Sequence, residues 1–356
     1  MAFLTDSEWK NFTISYKNVT IVRAPHSMAD HPMEVFCTLI YVLLFVCGVL
    51  SNAWVLRVIG TVLKRCSVRN VNVLAYIGSL GMINLIVLAT LPVAMVDMVT
   101  GQWLLPDFLC PVYWAIESLN KTVSSLILAC LSVSCYCSVC RPQMERMYRS
   151  GLIALLHILG SLVIFAWKVK PFINYSFTYH LTEVLDTDVV ITYGKKCTFN
   201  PPNTNDAFYL TLDAFVCTYL LPMVYMIGFY AAIIHAVRLR SKSLERSTAP
   251  RRAARSAFVL VGFYAATWTP FWFSTMVLTI HETVDREDKP LAVLRAMTSF
   301  VHLLPLVNCA FSPLLYTAMN SHVRTLYKTV VSTNDQRHRI HQLSGHSYRR
   351  LISACF

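Results

Sequence analysis

Apolar residues fall along this chain in seven long blocks separated by short polar or basic stretches. The blocks run Val35–Gly60, Val71–Val96, Phe108–Val139, Leu152–Trp167, Ala207–Val237, Ala254–Ile280 and Leu291–Met319. A membrane-crossing helix needs about 20 predominantly apolar residues. The fourth block is the shortest, and the second, third and seventh carry polar interruptions. The pattern predicts an all-α membrane protein: a bundle over 35–319, preceded by the segment 1–34 and followed by a tail over 320–356. No internal repeat is evident. The opening "MAFLTDSEWK" lacks the apolar core of a signal peptide, so the first helix is expected to serve as an uncleaved targeting signal.

Composition agrees. Hydrophobic residues make up 55% of the 356 and charged residues 14%, against about 25% charged in a soluble domain. Charge then orients the bundle. With the amino terminus outside, inner loops and tail hold nineteen Lys/Arg against three Asp/Glu, and outer segments hold seven against thirteen. That asymmetry predicts an extracellular start and a cytoplasmic end. The net charge of +12 is accounted for by basic loops lying against anionic membrane lipid, so no nucleic-acid partner is implied. The sequons at Asn11 and Asn18 fall in the outer segment and are candidate glycosylation sites. "NYS" at Asn174 lies too near the membrane, and "NKT" at Asn120 falls inside the third helix.

The twelve cysteines sort by side. Cys110, at the outer start of the third helix, and Cys197, in the loop before the fifth, lie in oxidising territory. A bridge between them is the economical pairing, tying the loop containing the alternating "DVVITYGKKCTF" across the bundle mouth. The cluster in "LACLSVSCYCSVCRP" falls in the inner third of the third helix. Cys137 and Cys140 share a helical face there and Cys135 points away. With no further ligand set nearby, these thiols are expected to pack rather than bind metal. No cofactor and no metal are expected.

Specific residues then resemble those of the rhodopsin-like (class A) G-protein-coupled receptors. These are "GVLSN" with Asn52, "SLGMINL" with Asn84 where the family usually has aspartate, and Trp103 seven residues before Cys110. Pro222 and Tyr230 match in the fifth helix. "YAATWTP" supplies Tyr264, Trp268 and Pro270, and "LPLVNCAFSPLLY" supplies Asn308, Ser312, Pro313 and Tyr316. The resemblance implies a seven-helix bundle with a short amphipathic eighth helix at "SHVRTLYKTV". It implies activation switches at Trp268, Pro270, Tyr264, Pro222, Tyr230, Pro313 and Tyr316. It also implies a plasma-membrane receptor with a heterotrimeric G protein and arrestin as partners. Two departures stand out. The family's Asp-Arg-Tyr reads Ser134-Cys135-Tyr136 here, and the usual fourth-helix tryptophan is replaced by Leu162. The inner face would comprise Ser134, Cys135 and Tyr136 with Arg251, Arg252 and Arg255. Asn52, Asn84, Ser124, Asn308 and Ser312 are expected to form an uncharged polar seam, because Asn84 and Ser312 leave no carboxylate for an ion.

Charges within a bundle need a reason. Asp97, Lys168, Lys170, Asp213 and Arg295 lie near the outer boundary, within snorkelling reach of water. Glu117 and Lys121 lie deeper, at a spacing that allows a self-neutralised pair. The alternative is that Glu117 meets a ligand cation, since it stands where amine and peptide receptors, the somatostatin and opioid types among them, carry an acid. Trp114, Phe271, Trp272 and His302 are candidates to line that pocket with Lys121. Acid-rich outer loops favour a cationic extracellular peptide as ligand. Rival readings are a receptor-fold protein that binds without efficient coupling, for which Cys135 is the main support, and a channel or carrier, against which stands the lack of an inverted repeat. No catalytic motif points to an enzyme.

Overall fold

A computed structural model describes residues 2–5, 20–23, 32–65, 71–141, 151–186, 189–239, 248–284 and 300–319. Long helices dominate them. The first helix is α1, Pro32–Arg65. The second is α2, Val71–Leu88, followed by α3, Leu91–Thr100. The third is α4, Leu109–Leu119, then a π-turn at Asn120–Ser124, then α5, Ser125–Cys140. The fourth is α6, Leu152–Lys168, with the short α7, Lys170–Tyr175. The fifth is α8, Thr204–Phe215, a second π-turn at Val216–Leu220, and α9, Leu221–Leu239. The sixth is α10, Thr248–Val284, and the seventh is α11, Leu303–Met319. Among the described residues, the first five are long and apolar enough to cross a membrane. The sixth extends beyond the expected Ala254–Ile280 at both ends. Arg295, with the outer part of the seventh block, and the expected eighth helix lie outside the described residues, as do Asn11 and Asn18.

The helix breaks follow local chemistry. Pro92 lacks the N–H that would continue α2 into α3, and the Thr90 hydroxyl turns back to the Val87 carbonyl at 2.7 Å. Pro222 likewise removes a donor just after the second π-turn, where the wider turn absorbs the mismatch. Close approach also favours small residues: a Cβ on Gly48 would sit 2.7 Å from a Leu88 methyl, so a larger residue in α1 would have to push that side chain aside.

Over the helices lies a four-stranded sheet in the order β1-β3-β4-β2. Its centre is an antiparallel hairpin of β3, Ser176–Asp186, and β4, Val189–Phe199. The edges are β1, Ala2–Thr5, antiparallel to β3, and β2, Thr20–Arg23, parallel to β4. The segment before the first helix thus contributes two edge strands. The Cys110–Cys197 disulfide forms, joining the start of α4 to β4. Beside it the Trp103 N–H donates to the Lys195 carbonyl at 2.6 Å, and Lys195 pairs with Asp107. Gly194 takes a φ of 101° where a Cβ would also meet Gln102 at 3.0 Å.

Candidate ligand site and inner face

Helix three carries the two charges expected deepest in the bundle. Glu117 ends the last full α-turn of α4, and Lys121 lies within the first π-turn. Both are half-buried. No ion pair joins them; among the described residues the pairs are Lys168–Asp213, Lys195–Asp107 and Lys196–Asp97. Regular i, i+4 geometry does not hold across a turn that widens at Asn120. The two charges attract one another through space without forming a direct ion pair.

Each charge has a different neighbour. The Glu117 carboxylate lies 3.3 Å from the Thr90 hydroxyl, whose single proton is already claimed at shorter range by the Val87 carbonyl. Tyr41 and Tyr113 lie within electrostatic reach of the same carboxylate. The Lys121 ammonium stands 5.2 Å from the centre of the Phe271 ring, a cation–π arrangement. Phe271 in turn meets His302 at 4.9 Å, Trp272 at 5.3 Å and Trp268 at 5.6 Å. Of the expected pocket residues, Lys121, Phe271, Trp272 and His302 therefore come together. Trp114 does not join them; its ring lies 5.9 Å from Phe199 of β4, under the hairpin.

Several members of this site were not anticipated. Tyr219, in the second π-turn, bonds the Thr269 hydroxyl at 2.6 Å and stacks near Trp272 and Tyr264. The two π-turns pack against one another. The indole N–H groups of Trp268 and Trp272 are buried without an acceptor among the described residues. Regular periodicity carries no signal for a π-turn, so this arrangement could not be read from spacing.

The outer charges are otherwise matched. Lys168 reaches Asp213 at 2.6 Å between the fourth and fifth helices, and Lys196 reaches Asp97 at 3.3 Å. Lys170 lies over the Trp167 ring at 4.4 Å. The polar seam is present but divided. Asn84 donates to Asn52 at 3.2 Å, and Asn52 donates to the Gly48 and Cys309 carbonyls. Asn308 instead donates to Thr267 at 3.0 Å, and Ser124 to Asn120 at 3.1 Å. Ser312 is buried.

At the inner end, Ser134 and Cys135 are both buried, Cys135 within the apolar core and in reach of Tyr230. Tyr136 packs edge-on against Phe229 at 5.4 Å. Pro270 and Pro313 lie inside α10 and α11, which continue through them. The side chains of Tyr316, Arg251, Arg252 and Arg255 lie outside the described residues. Among the described residues no group of three or more His, Cys, Asp or Glu is placed to hold a metal.

Comparison with known proteins accords with this architecture. The chain is 26% identical to the probable G-protein coupled receptor npr-29 of Caenorhabditis elegans, over 88% of this chain and 79% of that protein. It is 26% identical to neuropeptide receptor 18 of the same organism, over 86% and 69%. It is also 26% identical to the human C-X-C chemokine receptor type 5, over 80% and 73%. These relatives are receptors, not enzymes. The profile of the 7 transmembrane receptor (rhodopsin family) matches residues 51–316, and the chain belongs to that family of multi-pass membrane proteins.

Proposed function

We propose that this receptor sits in the plasma membrane with its amino terminus outside and binds an extracellular, cationic peptide at Glu117. It then transmits to a heterotrimeric G protein, with arrestin as a second inner partner. The observation that carries the reading is the state of Glu117. Its partly buried carboxylate has a single described hydrogen-bond neighbour, and that hydroxyl is shared with a carbonyl. A charge kept at such cost within a bundle marks a functional position. The names of two relatives, a neuropeptide receptor and a chemokine receptor, support a peptide as ligand. A screen of secreted peptides on cells expressing the protein, read by binding and by second messengers, tests it. Binding with a signal is expected, and Glu117→Gln should weaken a cationic ligand by roughly 2–5 kcal/mol. Unchanged affinity in that variant removes Glu117 from the site.

The second reading, binding without efficient coupling, is favoured by Cys135. A buried thiol supplies neither the charge nor the reach of the family's arginine. Ser134→Asp combined with Cys135→Arg is expected to raise ligand-driven G-protein activation at equal surface expression. No rise would mean that the inner end couples through other contacts.

A further inference from the structure

Glu117 and Lys121 share a charge problem that each solves for the other only in part, by attraction at a distance. Their four-residue spacing would suit an ion pair, yet the π-turn between them leaves none. Lys121 has no hydrogen bond and no carboxylate within ion-pair distance among the described residues; it feels Glu117 and His302 at longer range and stands over the Phe271 ring. A ring face attracts a cation without giving its N–H groups an acceptor. Around it the surplus is again of donors. The Nε1–H groups of Trp268 and Trp272 are sealed from solvent on side chains 2% and 3% exposed, with no acceptor. The Tyr219 hydroxyl donates to Thr269, whose own proton goes to the Ala265 carbonyl. A buried donor without a partner is costly, and two sealed indole donors beside a half-buried ammonium around one ring suit an acceptor-rich, negatively charged group.

Resting on the peptide-receptor reading above, we infer that the site takes a dipolar ligand end, with a carboxylate on Lys121 and a cation on Glu117. Helix three begins at Cys110, beneath the hairpin, so Lys121 lies deeper than Glu117. The carboxylate enters first and the cation follows. Four residues of regular α-helix rise about 6 Å, an upper figure here because the π-turn begins at Asn120. A basic residue at a peptide's carboxyl terminus spans roughly that distance between its carboxylate and its side-chain cation. A peptide amide, lacking the anion, leaves Lys121 unmatched. The same carboxylate chemistry on an acidic side chain would satisfy Lys121 equally well.

The test is affinity selection on the purified full-length receptor from a short mixed-sequence peptide library. The library is made once with free carboxyl termini and once as carboxyl-terminal amides. Retention of the free-carboxylate set over the amide set by about tenfold or more is expected, from the usual strength of a charged hydrogen bond. The preference should vanish in Lys121→Met, persist in Lys121→Arg, and persist in Glu117→Gln, which loses instead its selection for basic residues. Amide peptides retained through Asp or Glu, and lost in Lys121→Met, would keep the carboxylate anchor and move its source to a side chain. Equal retention of both sets without acidic enrichment, or a carboxylate preference untouched by Lys121→Met, overturns the inference while leaving the receptor reading intact. Retention of no peptide from either set overturns both. Should Lys121→Met not reach the surface, the contrast between the two sets on the unaltered receptor still decides.

Discussion

The outer and inner halves of this bundle are held by different means. The outer half is covalently strapped by Cys110–Cys197, covered by a sheet and crossed by the Lys168–Asp213, Lys196–Asp97 and Lys195–Asp107 pairs. The inner half, where it is described, is packed by neutral groups. Ser134, Cys135 and Tyr230 are buried there, and the Tyr76 hydroxyl bonds His157 at 2.6 Å between the second and fourth helices. The difference teaches where the two ends keep their specificity. The outer end holds charge that is in part unmatched, which suits discrimination among ligands. On the proposed reading, the end holding buried Ser134 and Cys135 would change state through shape rather than through an ionic lock.

The largest effect expected from this contrast lies in the strap. The bridge closes a loop of sequence separation 87, and its removal by Cys197→Ser should cost about 2–4 kcal/mol, read as a lower melting temperature and reduced surface expression. Replacing Cys137 with serine, at the other end of the same helix, should cost less. Equal losses would mean that the Trp103–Lys195 bond and the Asp107 contacts already hold the hairpin, and the two halves would differ less than their covalent chemistry suggests.

Between the halves, the central polar residues should give an intermediate effect. Asn84→Leu strands the Asn52 side-chain oxygen that accepts from it, at about 1–2 kcal/mol in a buried setting. Asn308→Leu breaks a different bond, to Thr267. Because the two groups share no described hydrogen bond, the double replacement should be additive within about 0.5 kcal/mol. A clear departure from additivity in melting temperature would reunite them into one seam.

That division shows what the sequence could and could not carry. The seven helices were legible because a membrane imposes a minimum apolar length, and the disulfide because oxidising territory selects Cys110 and Cys197. The burial of Asn52, Asn84 and Asn308 was legible from their place in apolar runs, but their partners were not. Thr267 and Thr90 read as ordinary polar residues until the bundle brings them to Asn308 and Glu117. The π-turns escaped for a related reason, since one turn of altered width leaves the apolar content of a helix unchanged. They decide the site all the same, because the first of them separates Glu117 from Lys121. The edge strands β1 and β2, four residues each, are too short to stand out as alternation and exist through pairing with a distant hairpin.

The smallest effect should come from the Lys168–Asp213 pair, although the two groups meet closely. Lys168 and Asp213 meet at 2.6 Å, with side chains 24% and 48% exposed. Exposure at that level lets water and salt screen the attraction, and pairs of this kind are worth about 0–1 kcal/mol. Cys217 also donates to Asp213 at 3.5 Å, so the carboxylate keeps a contact when the lysine is lost. Lys168→Met should therefore lower the melting temperature by less than Asn84→Leu does, and its effect should shrink further as salt is raised. A loss above about 2 kcal/mol, insensitive to salt, would place this pair in a medium as poorly screened as the bundle interior. The outer charges could then no longer be divided into a screened lip and an unmatched site. Glu117 and Lys121 would have to be weighed as part of one buried charge network reaching Asp213, rather than as a pair kept open for a ligand.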